Sequence, residues 1–272
     1  MHAFAVARLR LETDLRRAVE RNEFVVFYQP IFSLTTKSIA GFEALVRWQH
    51  PVRGLLNPGE FMQMAEETGM IVSIDRLVLH EACRQMREWL TQHPGSGLAF
   101  ISTNLSNKQM VQPDLVEYVE QVLEETGLDP GYLKLEITEN VIIENPEEII
   151  AMLARLKRLG VQLYIDDFGT GYSSLSYLHR LPIDGLKIDR SFIGRMGEQG
   201  ENQEIVRTIM LLAQDIKIGV IAEGVETESQ MTQIKSLGCE YGQGYLFSKP
   251  VDGIRARALI ENAPPDIAGS SE

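Results

Sequence analysis

Cysteine is scarce in this chain: Cys83 and Cys239 are the only two, far apart and without a C-x-x-C companion, which excludes a disulfide framework and a cysteine zinc site and suits a reducing cytoplasm. Positive charge is in deficit, 26 Lys and Arg against 38 Asp and Glu for a net charge of -12. A basic groove that tracks a nucleic-acid backbone is therefore excluded, and DNA is not an expected partner; a local positive site for a small phosphorylated ligand stays open. No apolar run approaches the roughly 18 residues needed to span a bilayer, so no membrane segment is expected within the chain. The first twenty residues carry arginines and acids where a signal peptide needs an apolar core, and secretion is not indicated. The five histidines, His2, His50, His80, His93 and His179, form no H-E-x-x-H pattern, which disfavours a zinc protease.

What the chain does have is 44% hydrophobic residues over 272 positions, enough for one sizeable core, and α/β barrels commonly occupy about 250 residues undivided. Short β-branched runs alternate with longer amphipathic stretches, the pattern of repeated βα units. Strands are predicted at 23–30, 38–47, 98–105, 132–138, 162–168, 185–189, 220–223 and 242–247. Helices are predicted at 58–68, 75–92, 113–126, 146–159, 203–216 and 228–237, with Gly127, Gly160 and Gly238 as C-terminal stops. Residues 1–22 read as a connector helix, with helical pattern at 10–21, or as a lid on the barrel floor; 23–262 form the barrel, and 263–272 a frayed tail.

A ligating or charged group stands near the end of almost every predicted strand: Glu43, Asn104, Glu136, Asp166 with Asp167, Lys187, Glu223 and Gln243. Taken singly, each acid is more often a cap or an ion-pair partner. Strand C-termini of an eight-stranded barrel converge on one face, however, where the active sites of such folds lie. Converging carboxylates repel unless cations neutralise them, and Asp, Glu and Asn oxygens suit magnesium or manganese. Removing one acid, Glu43 for example, is expected to relieve that repulsion and leave the fold intact. Asp166 and Asp167 would normally point to opposite faces; Gly169 and Gly171 permit a local turn that lets both face a pair of ions, as in two-metal phosphoryl chemistry. Lys187 and Asp189, two apart, share a face, and a lysine among acids can position a water or take its proton, or simply balance charge.

The chain reads YQPI from Tyr28, GFEALVRWQHP from Gly41, AEETG from Ala65, NLS from Asn104, LEITEN from Leu135, IDDFGTGYSSL from Ile165, LKIDRSF from Leu186, AEGVET from Ala222 and QGYLFSKP from Gln243. In this ordered series, and in the tripeptide Glu43-Ala44-Leu45, it resembles the EAL-domain cyclic di-GMP phosphodiesterases over nearly its whole length. The resemblance implies a TIM-like (β/α)8 barrel with one antiparallel strand near the start, hydrolysing cyclic di-GMP to linear pGpG with two Mg2+ or Mn2+ ions per site. It implies Glu43, Asn104, Glu136 and Asp166 as ligands of one ion, Asp166 and Asp167 reaching the second, and Glu223 completing the ring. Lys187 would orient the attacking water, with Gln243 and Asp189 in support. Arg47 resembles the family's phosphate-binding arginine, and Gln29 and Leu45 are further candidates for substrate contact. The segment 166–175 resembles the loop coupling metal binding to homodimerisation, with Glu139 as its anchor. A sensor or GGDEF domain in a longer parent is a further expectation. A catalytically silent cyclic di-GMP receptor is the alternative, and an unrelated metal-dependent barrel enzyme a remoter one.

Overall fold

The computed structural model describes residues 2–139, 141, 146–170, 178–196 and 201–262. Eight strands close into a barrel: β1 (Phe24–Ser33), β2 (Ile39–His50), β4 (Phe100–Leu105), β5 (Leu133–Thr138), β6 (Gln162–Phe168), β7 (Gly185–Ile188), β8 (Gly219–Ala222) and β9 (Tyr241–Gly242), with β3 (Gly54–Leu56) attached outside β2. From β2 to β9 the neighbours around the wall run parallel, and β1 is antiparallel to both β2 and β9. The antiparallel strand is thus the first one. Only residues 34–38 separate it from β2, too few for the crossover that a parallel partner needs.

Ten helices among the described residues are α1 (His2–Glu20), α2 (Met62–Thr68), α3 (Ile71–Gln92), α4 (Asn107–Met110), α5 (Leu115–Thr126), α6 (Pro146–Arg158), α7 (Arg190–Gly194), α8 (Glu201–Ile216), α9 (Glu228–Ser236) and α10 (Gly253–Glu261). The glycine stops are present, Gly127, Gly160 and Gly238 all having positive φ. Two predictions change. The strand expected at 242–247 shrinks to Tyr241–Gly242, because the chain then crosses Val225: a Cβ on Gly244 would lie 2.2 Å from the Val225 carbonyl oxygen, and Leu246 N donates to that oxygen. Helix α1 is longer than expected, and it is not a floor lid: Leu15 and Ala18 are fully buried, Asp14 faces His50 at the far end of β2 and Arg8 pairs with Glu67 of α2. The tail 263–272 and Gly171 with the rest of 171–177 lie outside the described residues.

The barrel interior has two layers, because residues two apart on a strand share a face. The lower members of the pairs Phe100 and Ser102, Lys134 and Glu136, Tyr164 and Asp166, Gly185 and Lys187, Ile221 and Glu223, Tyr241 and Gln243 lie toward the floor, and the upper members toward the strand C-termini. Phe100, Tyr164, Tyr241, Ile31, Ala40 and Ile221 pack together as a floor plug separate from the main core. The Lys134 ammonium lies inside that plug, 3.3 Å from the Phe100 ring centroid and donating to Tyr164 Oη at 3.1 Å. Room for the rings comes from glycine: a Cβ on Gly185 would sit 2.2 Å from the Tyr164 ring.

Candidate active site

Above the plug, four carboxylates converge on one ammonium. Lys187 Nζ, fully buried at the end of β7, lies 2.5 Å from Glu223 Oε1, 2.7 Å from Glu136 Oε2, 3.2 Å from Glu43 Oε2 and 3.4 Å from Asp166 Oδ1. Four strands contribute one carboxylate each, so the expected convergence is realised in space. Asn104 donates through Nδ2 to Glu43 Oε1 at 2.8 Å, which leaves its Oδ1 as the atom for a ligand role. Gln243 Nε2 donates to Glu43 Oε2 at 2.7 Å and to Gln29 Oε1 at 3.1 Å, and Gln29 Nε2 donates to Ser248 O at 3.1 Å. Gln29 is thereby tied into the ring.

These contacts divide the carboxylates into two kinds. Glu43 pays the largest desolvation of any influence on it, yet the Lys187 charge and the donors Gln243 and Asn104 outweigh it and hold its pKa below the usual carboxylate value. Glu136, with desolvation leading and the Glu43 and Asp166 charges adding to it, is pushed up to about 8 despite Lys187. Glu223 is raised well above normal for the same leading reason, with Asp166 and Glu43 contributing. Lys187 itself is desolvated, but Asp166, Glu136, Glu223 and Glu43 together raise its pKa well above that of a free lysine.

Asp167 joins the site through a left-handed turn of its own backbone, followed two positions on by Gly169, whose φ is also positive at +95°. The Asp167 φ is +53°, a left-handed conformation that short acidic side chains tolerate, and the β6 register against β7 shifts between Ile165 and Phe168. Asp166, Asp167 and Glu223 consequently each present an oxygen within 4.8 Å of the others. Burial first, then the Asp166 and Asp189 charges, raise Asp167 to about 6. Asp189 falls just past β7, where Oδ1 accepts from Ser191 N at 3.0 Å and caps α7.

Fit to hard cations can be judged from the donors. They are all oxygen, and Glu136 Oε1 is buried without a hydrogen-bond partner; a buried carboxylate oxygen left this way is costly unless a cation completes it. Glu139, 8% exposed, stands outside the ring. Its Oε2 accepts from Gly169 N at 3.4 Å and its Oε1 is unpartnered, so it reaches the start of the loop it was expected to anchor. Arg47 shares the Glu43 and Leu45 face of β2; its Nη1 donates to Val46 O at 2.8 Å and its guanidinium lies 5.5 Å from the Phe27 ring centroid.

A cavity of about 230 Å³ opens beside the ring, bordered by Gln29, Glu43, Leu45, Asp166, Glu223 and Gln243. Arg190, Glu226 and Tyr245 also border it, none of them singled out from the sequence. Arg190 and Glu226 fall within the LKIDRSF and AEGVET runs, one and three positions beyond Asp189 and Glu223. Tyr245 was hidden by the expectation of a regular strand, and it is an exposed aromatic at the mouth.

Comparison with known proteins agrees with this geometry. A family model described as the EAL domain matches residues 12–250. The chain is 43% identical over 260 residues to the bifunctional diguanylate cyclase/cyclic di-GMP phosphodiesterase MucR of Pseudomonas aeruginosa, covering 96% of this chain and 38% of that protein. It is 42% identical to the cyclic di-GMP phosphodiesterase NbdA of the same organism, covering 91% of this chain and 31% of that one. The chain thus spans well under half the length of these relatives. Among solved structures, the P. aeruginosa MucR phosphodiesterase in complex with c-di-GMP superposes with a TM-score of 0.87 at 42% identity, covering 91% of this chain and 99% of that one. The EAL enzyme Bd1971, bound to cAMP and cyclic di-GMP, gives a TM-score of 0.89 at 37% identity over 94% of this chain and 69% of that one.

Proposed function

The chain belongs to the EAL domain family, and from that premise we propose that it is a phosphodiesterase that opens cyclic di-GMP to linear pGpG. The observation that carries the reading is the ring of Glu43, Glu136, Asp166 and Glu223 around Lys187, with Asn104 and Asp167 adjoining it. Glu43, Asn104, Glu136, Asp166, Asp167 and Glu223 would hold two Mg2+ or Mn2+ ions. When bound, such ions supply positive charge to the phosphodiester oxygens and lower the pKa of a water.

The chain's own groups have separable tasks. Arg47 would offer a planar pair of donors to a phosphate of the ligand. Lys187, already a donor to Glu136 and Glu223, orients the attacking water and keeps a proton at Nζ that can be shared with it. Gln243 and Asn104 fix the Glu43 carboxylate, leaving it little freedom to turn. Glu139 ties the backbone after Asp167, and Asp189 adds negative charge against Asp167 while capping α7. We further take the active form to be a homodimer joined through the segment after Asp167, in a cytoplasmic setting and beside a sensor or GGDEF domain in a longer parent.

Incubation of the folded protein with cyclic di-GMP and Mg2+, followed by separation of the nucleotides, tests this. Appearance of pGpG supports the reading; binding of the dinucleotide with no product after prolonged incubation assigns the receptor role instead.

A further inference from the structure

Strand β2 carries two sets of residues. Glu43, Leu45 and Arg47 alternate along the mouth, and Trp48 and His50 face away from it. Trp48 is fully buried between Phe24 and Phe61, with ring centroids at 5.8 and 5.7 Å, and its Nε1 donates to Glu23 Oε2 at 3.0 Å. His50 lies 4.9 Å from the Trp48 ring and is 6% exposed. Its Nδ1 accepts from the Val52 and Arg53 amides at 3.1 and 3.2 Å, which leaves Nε2 as the N–H nitrogen, 3.6 Å from Asp14 Oδ2 of α1. Between the two, Gln49 N donates to Glu23 O at 2.8 Å, and Glu23 N donates to Ala18 O at 3.1 Å. Helix α1 and the turn after it therefore grip three consecutive residues of β2, beginning at the one after Arg47.

We propose that Trp48 and His50 are positioning residues for Arg47, and that the docking of α1 against them sets how far that guanidinium reaches toward a bound phosphate. The inference rests on reading Arg47 as the phosphate contact. Arg47 is held by the Val46 carbonyl and the Phe27 ring, both on the same two-stranded ribbon, so its position follows the ribbon. Glu43 lies four residues deeper and is clamped by Asn104, Gln243 and Lys187. A shift introduced at residues 48–50 therefore reaches Arg47 and is resisted at Glu43. The expected signature is weakened substrate binding with the chemical step preserved. This makes α1 a mechanical input to substrate affinity.

The test uses the chain of residues 1–272 with Trp48→Phe, which keeps a ring and removes the Glu23 bond, and Leu15→Ser, which loosens α1. KM and kcat for cyclic di-GMP with Mg2+ are measured in wild-type and Arg47→Ala backgrounds. Each variant is expected to raise KM about five- to tenfold, at the lower end of usual coupling between sites, with kcat within about twofold and no further rise once Arg47 is gone. An unchanged KM, a loss confined to kcat, or the same rise in the Arg47→Ala background overturns the proposal. Coupling is reciprocal, so cyclic di-GMP binding should slow amide hydrogen exchange in residues 11–20 of the wild type and not of Arg47→Ala; equal exchange with and without the dinucleotide also overturns it. A wild type that binds without cutting defeats the phosphodiesterase reading alone, because the exchange comparison needs no turnover.

Discussion

Lys187 and the carboxylates around it are charges that neither side could bury alone. Removing one member of a buried ion pair typically costs about 3–5 kcal/mol because the partner is left uncompensated. Lys187→Met should lower the metal-free stability by that order in denaturant unfolding, with much of the loss recovered on adding Mg2+, and should reduce turnover by about a hundredfold or more; full activity would remove Lys187 from the mechanism. Glu136 supplies a pH test. Its folded pKa of about 8 lies above the ordinary 4.5, so its contribution to stability is fully present below about 4.5 and is lost as pH rises through about 8. Metal-free wild type should therefore lose stability across that window, and Glu136→Gln should flatten the loss; a variant with the same pH slope would contradict the assignment. The acids of the ring were legible from their places at strand ends, but not their inequality. Relief of repulsion, expected at Glu43, falls to Glu136 and Glu223, because Glu43 alone gathers donors from Asn104, Gln243 and Lys187. Those side-chain partners come from strands far apart in sequence, which periodicity does not register.

On β5, β6 and β7 one residue lies at the floor and the residue two further on lies in the ring (Lys134 and Glu136, Tyr164 and Asp166, Gly185 and Lys187), so a disturbance of the plug is transmitted to the ring. Gly185 is the clearest case: Gly185→Ala puts a methyl into the Tyr164 ring, directly below Lys187. Overpacking of this kind costs about 1–3 kcal/mol; the variant should unfold at a lower denaturant midpoint and lose activity beyond its loss of folded protein, and wild-type behaviour would mean that the two layers are uncoupled. Seven of the eight strands were readable from their β-branched runs, with every end within three residues of its predicted place. Periodicity carries no strand direction; the one antiparallel strand near the start was implied by the family resemblance alone, and the short link at 34–38 shows why it is β1. The β3 hairpin went unseen because it is three residues long, and β9 was overextended because Gly244 signals a crossing of backbones as readily as a strand.

At the scale of the whole molecule, the proposed function asks a chain of net charge -12 to bind an anionic dinucleotide beside its own buried carboxylates. Divalent ions held by the ring would resolve that conflict and would stabilise the fold by mass action, to the extent that they bind the native ring in preference to the unfolded chain. Thermal unfolding should shift upward and saturate with added Mg2+ or Mn2+ in the wild type, and the shift should largely vanish in Asp166→Asn and Glu223→Gln; equal shifts in all three would place the ions elsewhere. The central claim is that the ring performs phosphodiester hydrolysis. Its most direct measurement is a time course of the nucleotides formed from cyclic di-GMP with Mg2+ by wild type and Asp166→Asn. The account predicts pGpG accumulating with the wild type and at least about a hundredfold more slowly with the variant; equal rates from the two proteins, or intact cyclic di-GMP with a folded, metal-stabilised wild type, would contradict it.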